Sequence, residues 1–262
     1  MNNLFDLFRL SGKTIWVAGG AGYLGQTTVK MLLDAGANVL CMDLAGKADD
    51  FVASLPQANE KATSATLDVR DGEAIKKFVA EKTIDGVPDG LVILTFGSAS
   101  KNFEDLTEKD FDDVNHAGLT ATFLLAREVG QAMEKVGRGS IVLFSSMYGS
   151  VSPDPRVYEA PMNVNPIEYG VGKAGIVQMT RYMAVHWAKK NIRCNCISPG
   201  PFPSPAVQEK NKDFVERLAY KVPMGRVGLQ HEVAGAVCFF ISDASSFVTG
   251  QNLFVDGGWT SW

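Results

Sequence analysis

The sequence predicts a single α/β domain over residues 1–262, with a seven-stranded, mostly parallel sheet and helices on both of its faces. Three observations carry this. From Lys13 onward, short apolar runs alternate with longer segments of helical period, as strands and crossover helices do in a parallel sheet. No internal repeat and no Pro/Ser-rich linker divides the chain. Its 262 residues are 46% hydrophobic, ample for one sizeable core.

The apolar runs place strands at 14–18, 38–42, 63–67, 91–95, 140–145, 193–197 and 252–255. Between them, helical periodicity falls at 23–34, 72–81, 108–135, 167–190, 206–220 and 231–242. Gly36 closes the first helix in the manner of a C-terminal cap. Residues 147–166 have no clear period and are rich in Pro, Asn and Gly, so a long loop is expected there. Loops of that length in compact domains tend to be functional, and this one is expected to shape a substrate site.

Composition excludes several classes. A net charge of −4 supplies no basic field for nucleic acid or an acidic membrane surface. Cys41, Cys194, Cys196 and Cys238 are scattered, which suits free thiols in a reducing compartment. Cys194-Asn195-Cys196 lacks a second matching pair, so no metal site is expected. The start, Met1-Asn2-Asn3-Leu4-Phe5, does not read as a signal peptide, and no apolar run has the length of a membrane span. A cytoplasmic location is the expectation.

The first strand runs into Ala18-Gly19-Gly20-Ala21-Gly22-Tyr23-Leu24-Gly25 and then into a helix. Glycine there lets the backbone turn tightly and approach a pyrophosphate, whose charge the helix N-terminus meets. Asp43, followed by Leu44, ends the second strand at the offset of a ribose-binding carboxylate. Such a carboxylate would repel a 2′-phosphate, and the turn contains no Arg or Lys, so the expected cofactor is NAD rather than NADP. After the third strand, Asp68 is expected to accept from the adenine amino group, to cap the next helix, or both, with Val69 near the ring.

Tyr169 and Lys173 stand four residues apart, on one face of a helix and roughly 6 Å apart at the backbone. A phenol is a poor acid or base at neutral pH, but a neighbouring cation favours the phenolate. The same spacing also arises by chance, as a surface lysine beside a half-buried tyrosine. The surrounding motifs decide between the two.

Together the glycine turn, Asp43, Asp68-Val69, Asn115, Ser145-Ser146, Tyr169-x-x-x-Lys173, Pro199-Gly200 and Val255-Asp256-Gly257-Gly258 resemble the short-chain dehydrogenase/reductase family over nearly the whole chain. The resemblance implies a Rossmann fold in which Tyr169 is the general acid/base, while Lys173 lowers its pKa and holds the nicotinamide ribose. It further implies that Ser146 hydrogen-bonds the reacting oxygen and that Asn115 anchors a proton-relay water. Thr95, Gly97, Pro199, Gly200, Phe202 and Ser204 are then expected to bind cofactor with Gly19, Gly22, Tyr23, Leu24 and Gly25. Three departures stand out. Tyr23 occupies a usual glycine position, Leu94-Thr95-Phe96-Gly97 replaces the family's Asn-Asn-Ala-Gly, and the interval from Ser146 to Tyr169 is long.

Polar residues in the long loop, with Met147, Tyr148 and Arg156 as candidate substrate contacts, resemble members acting on sugars, sugar acids or polyols. The leading expectation is NAD-dependent interconversion of a secondary alcohol and a ketone on such a substrate, within carbohydrate metabolism. The glycine spacing leaves a nucleotide-sugar epimerase or dehydratase as an alternative. The altered 94–97 segment leaves a catalytically silent NAD-binding regulator. Apolar excess on the two long helices, and on Trp259 and Trp262, predicts a homo-oligomer, a tetramer or a dimer.

Overall fold

The computed structural model describes residues 3–56 and 61–262. Met1 and Asn2, on which the reading of the N-terminus partly rests, lie outside the described residues. Seven strands, β1 (Thr14–Ala18), β2 (Asn38–Asp43), β3 (Ala62–Thr66), β4 (Gly90–Ile93), β5 (Gly139–Phe144), β6 (Ile192–Pro199) and β7 (Asn252–Val255), form one sheet in the order β3-β2-β1-β4-β5-β6-β7. Every pairing is parallel. This is a Rossmann fold, and the order reverses between β1 and β4, where such sheets open a ligand crevice at their C-terminal edge.

Alternate residues of each strand serve opposite layers. Ile15 and Val17 of β1 join a core with Val29 and Leu32 of α1 (Tyr23–Asp34), Phe51 of α2 (Lys47–Ala53), and Val233, Val237 and Phe240. Trp16 and Ala18 face the other way, into a core with Ile75 and Val79 of α3 (Gly72–Lys82), Leu125 and Val129, and Ile176 and Met183. The period-2 pleat thus feeds two cores from a single strand. α2 is an addition to the expected elements; at seven residues it is too short to show a helical period.

The long helix expected at 108–135 is three pieces. α4 (Glu108–Asn115) starts at a capping box between Thr107 and Asp110, widens into a π turn (His116–Thr120), and continues as α5 (Ala121–Val136), which Gly137 ends in the left-handed region at φ 68°. α6 (Ile167–Trp187) packs beside it, with Gly130 opening a notch in which an added Cβ would stand 2.2 Å from the Trp187 ring. The helix expected at 206–220 breaks at Asn211 (φ −129°, ψ 58°) into α7 (Pro205–Lys210) and α8 (Lys212–Lys221). α9 (Gln230–Ile241) completes the first layer. Among the described residues, no helix is long and apolar enough to cross a membrane.

The 147–166 loop is partly ordered by short 3-10 turns at Met147–Gly149 and Pro155–Val157. Met147, Tyr148 and Val157 pack with Leu218, Val222 and Trp259 in a third, smaller core. Trp259 is therefore not available to an interface as the sequence suggested; it is 3% exposed beneath Lys221, whose Nζ lies 5.0 Å from the ring centroid.

Candidate active site

A cleft at the C-terminal edge of β1, β4, β5 and β6 gathers residues from widely separated parts of the chain. The glycine turn (Gly19, Gly22, Tyr23, Leu24, Gly25) forms one wall, Pro199, Gly200 and Phe202 another, and Leu94, Phe96, Ser146, Tyr169 and Lys173 the rest. The turn is built for close backbone approach. A Cβ on Gly25 would lie 2.1 Å from the Gly19 carbonyl oxygen, and Gly19 itself has φ +78°. Asp43 braces the turn, its carboxylate accepting from Ala21 N at 3.2 Å and from Leu44 N at 2.9 Å. A carboxylate has about four acceptor sites, so capacity remains for ribose hydroxyls. Thr95 Oγ1 is buried without a partner and Thr95 Cγ2 lies 3.2 Å from where a Gly19 Cβ would be, which marks a polar atom beside the turn waiting for a donor or acceptor. These residues fit a dinucleotide.

Tyr23, where glycine is usual, uses its extra atoms across the cleft: its hydroxyl donates to the Pro203 carbonyl at 3.0 Å and ties the turn to the loop after β6. Ser204 in that loop caps α7, accepting from Val207 N at 3.4 Å, so its hydroxyl already has a structural use. Gly200 N donates to Val255 O at 2.9 Å, and a Cβ there would meet the Asp256 backbone at 2.6 Å. Gly97 is open, with nothing near an added Cβ. Asp68 does not cap α3, as one reading had it. Asp71 does, accepting from Glu73 N and Ala74 N at 3.0 Å each, while Asp68 binds the Arg70 guanidinium at 2.6 to 3.1 Å and is held below the usual carboxylate range by it. Val69 packs against the α3 side of the core.

The side chains expected to react sit on α6 and at the end of β5. Ser146 follows β5 and accepts from Tyr148 N at 3.1 Å. Burial pushes the Tyr169 phenol up from its ordinary value, and the Ser146 hydroxyl acts against that rise. Lys173 is 3% exposed, donates from Nζ to the Phe144 carbonyl at 2.8 Å, and is lowered by burial to about 7. Its Nζ lies 5.5 Å from the Tyr169 ring centroid and 4.2 Å from that of Phe96. Desolvation therefore outweighs the expected effect of Lys173 on the Tyr169 phenol. The ammonium is spent on a carbonyl and a ring face, and desolvation dominates both groups.

The α6 backbone is pinned at this point. Ser145 Oγ donates to the Lys173 carbonyl at 2.7 Å, and a Cβ on Gly149 would lie 2.8 Å from the Lys173 carbonyl carbon. Asn115 ends α4 where the helix widens; its Nδ2 donates to Phe111 O at 3.0 Å and Glu168 O at 3.4 Å, while its Oδ1 is buried without a partner. A π turn at such a residue commonly accompanies function.

Of the three candidate substrate residues, none lines the cleft itself. Met147 and Tyr148 are buried in the third core, with the Tyr148 hydroxyl 2.7 Å from that of Tyr158. Arg156 is turned away: it pairs with Asp154 at 2.8 Å, its side chain is 88% exposed, and it borders a surface groove with Arg217 and Tyr220. A local Asp two residues earlier captures the guanidinium, which the spacing of charges alone did not reveal. Two residues escaped sequence reasoning. Glu168 is fully buried beside Tyr169, accepting from Ala99 N at 3.0 Å, and Phe96 fills the space beneath Lys173. Only their adjacency to motif residues could have signalled them. Among the described residues, no cluster of His, Cys, Asp and Glu is arranged to hold a metal ion.

Fold and cleft together define an oxidoreductase architecture of the nicotinamide-dinucleotide type. The family model described as enoyl-(acyl carrier protein) reductase matches residues 19–260. The chain belongs to the short-chain dehydrogenase/reductase family. It is 32% identical over 256 residues to an NAD-dependent glycerol dehydrogenase of Listeria innocua, covering 97% of this chain and 96% of that one. Among solved structures, a short-chain dehydrogenase of Leptospira borgpetersenii with bound NAD+ superposes with a TM-score of 0.87 at 33% identity, covering 99% and 96% of the two chains. A gluconate 5-dehydrogenase of Burkholderia cenocepacia in complex with NADP and tartrate gives a TM-score of 0.89 at 27% identity, covering 99% and 100%. The fold is thus that of enzymes acting between alcohols and carbonyl compounds.

Proposed function

We propose that this protein is an NAD-dependent dehydrogenase interconverting a secondary alcohol and a ketone on a small polar substrate of the sugar, sugar-acid or polyol class. The observation that carries the proposal is the convergence of Ser146, Tyr169 and Lys173 on the cleft that also contains the glycine turn. When bound, a nicotinamide ring supplies the hydride acceptor or donor. Gly19, Gly22, Tyr23, Leu24, Gly25, Asp43, Leu44, Thr95, Gly97, Pro199, Gly200, Phe202 and Ser204 would hold the dinucleotide, with Asp68 and Val69 at the adenine end.

In oxidation, Tyr169 takes the proton from the substrate hydroxyl; in reduction it returns one to the carbonyl oxygen. Ser146 donates to that same oxygen, where charge develops. Lys173, when protonated, favours the phenolate and binds ribose hydroxyls, and Asn115 holds a water for proton relay. Asp43 at the end of β2, without a basic residue in the turn, supports NAD, as do the descriptions of the Listeria and Leptospira relatives. The Burkholderia neighbour's NADP makes a direct comparison of both cofactors the proper assay. Glycerol and gluconate in the names of the relatives support the polar substrate class. The 147–166 segment delivers the substrate, through its packing on α8 rather than through Arg156. Exposed Tyr182 (71%) and Val185 (81%) on α6 support self-association through that helix.

Sugars, aldonates, uronates and polyols screened for NADH formation identify the substrate. Tyr169→Phe is expected to lower kcat by about 100-fold or more on the best of them while leaving cofactor affinity intact. Full activity in that variant defeats the mechanism.

A further inference from the structure

Phe96 sits in the segment Leu94-Thr95-Phe96-Gly97, directly after β4, and its ring reaches under the reacting pair. Lys173 Nζ lies over the ring face, 4.2 Å from the centroid. The Tyr169 ring meets it nearly at a right angle, 83° between planes and 5.4 Å between centroids. The ring occupies a notch cut by two glycines. A Cβ on Gly118, in the π turn, would stand 2.4 Å from Phe96 Cε2, and one on Gly172, in α6, would stand 2.5 Å from Cζ. The segment that carries it is fastened on both sides. Leu94 N donates to Ala18 O at 2.9 Å, and the buried Glu168 carboxylate accepts from Ala99 N at 3.0 Å and from Ser98 Oγ at 3.5 Å.

We infer that Phe96 is a positioning residue for the Tyr169–Lys173 pair, its ring face seating the ammonium and its flank fixing the tyrosine ring. The inference rests on the catalytic reading above. Physically, a buried ammonium needs more than one carbonyl. None of the ion pairs among the described residues includes Lys173, so the Phe144 oxygen and the Phe96 face are its nearest electronegative neighbours, with the Tyr169 ring farther off at 5.5 Å. The titratable groups near it are Tyr169 on α6 and Cys196 on β6, while Glu168 on α6 is committed to Ala99. A desolvated cation over an aromatic face gains far more than an exposed one. Losing that face makes the protonated lysine less favourable, so the cation beside the phenol weakens and the phenol keeps its proton to higher pH.

The experiment compares wild type, Phe96→Leu, Gly118→Ala and the double variant, with pH profiles of kcat on the best substrate of the panel. Phe96→Leu is expected to lower kcat by about 10- to 30-fold, to move the acidic limb up by about one pH unit, and to leave both KM values within about twofold. Gly118→Ala, whose new methyl displaces the ring, should give the same signature. The double variant should be no worse than Phe96→Leu, because both remove one interaction. A rise in substrate KM with kcat and limb unmoved would make the ring a substrate wall and overturn the inference, as would losses that multiply. Should Phe96→Leu fail to fold, Phe96→Met against Gly118→Ala makes the same comparison. Tyr169→Phe, run alongside, separates the two ideas: activity retained there removes the catalytic reading itself, whereas activity lost there with Phe96→Leu unaffected removes only the role of the ring.

Discussion

Replacing Lys173 by Met probes the electrostatics of the cleft without any substrate. Burial brings this lysine from its ordinary 10.5 to about 7, so between those values the unfolded chain carries a proton that the folded chain does not. Stability therefore rises with pH through the window, and the protonated lysine opposes folding at pH 7 and below. The full window corresponds to about 5 kcal/mol, at 1.36 kcal/mol per pH unit. Thiols complicate its upper part. Burial pushes all four thiols up, Cys41 to about 12, Cys196 to about 11, and Cys194 and Cys238 likewise upward, so the stability they lend is lost as pH climbs past the ordinary thiol range. From pH 7 to 8 the lysine acts nearly alone, and wild type should gain about 1 kcal/mol. Met ends one atom short of Nζ and removes the charge, at the loss of one hydrogen bond to Phe144 O, about 1 kcal/mol. Urea unfolding followed by tryptophan fluorescence, in half-unit steps of pH, measures both proteins. The variant should be more stable than wild type at pH 7 by about 3 kcal/mol and lack the rise. Parallel pH dependences in the two proteins would refute the buried-lysine argument.

Two further substitutions address cofactor binding. Asp43→Ala removes the carboxylate that accepts from Ala21 N and Leu44 N; kcat/KM for NAD should fall by about tenfold or more while the NADP:NAD ratio rises, and an unchanged ratio would remove Asp43 as the discriminator. Gly25→Ala places a methyl 2.1 Å from the Gly19 carbonyl oxygen and 2.9 Å from the Gly20 backbone, neither of which can swing aside. It should cost about 1–3 kcal/mol in stability and abolish dinucleotide binding by calorimetry, and wild-type affinity would contradict the cradle.

The parallel sheet was legible because most of its strands are short apolar runs separated by helical periods, with β3 and its three hydroxyl residues the exception, and the glycine turn because geometry restricts the residue types it accepts. β2 illustrates the limit of such reading: it runs one residue further than its apolar stretch, through Asp43, because the ladder to Thr66 continues regardless of polarity. The break at Asn211 and the π turn after Asn115 were invisible, since both interrupt a helical period by a single backbone adjustment that leaves the apolar spacing intact. In the site, Ser146, Tyr169 and Lys173 could be found from their order along the chain, as could the residues of the turn. Arg156 could not be excluded, because its capture by Asp154 is a local conformational event. Phe96 could not be included, because nothing in its type distinguishes a ring under an ammonium from a ring in a core.

The contacts of Ser145 and Gly149 with the Lys173 backbone have a consequence for how this enzyme can change. They join the end of β5 to α6 through the Ser145 hydroxyl and the close approach of Gly149 to the Lys173 carbonyl, at the start of the loop and downstream of Tyr169. The span between Ser146 and the tyrosine is thereby set by two anchored ends and is independent of how many residues lie between them. Such an arrangement lets insertions and deletions in 150–166 accumulate as variation in what is admitted, with the spacing of Ser146, Tyr169 and Lys173 held constant. A lineage of such proteins could diversify its diet of alcohols while inheriting its chemistry unaltered.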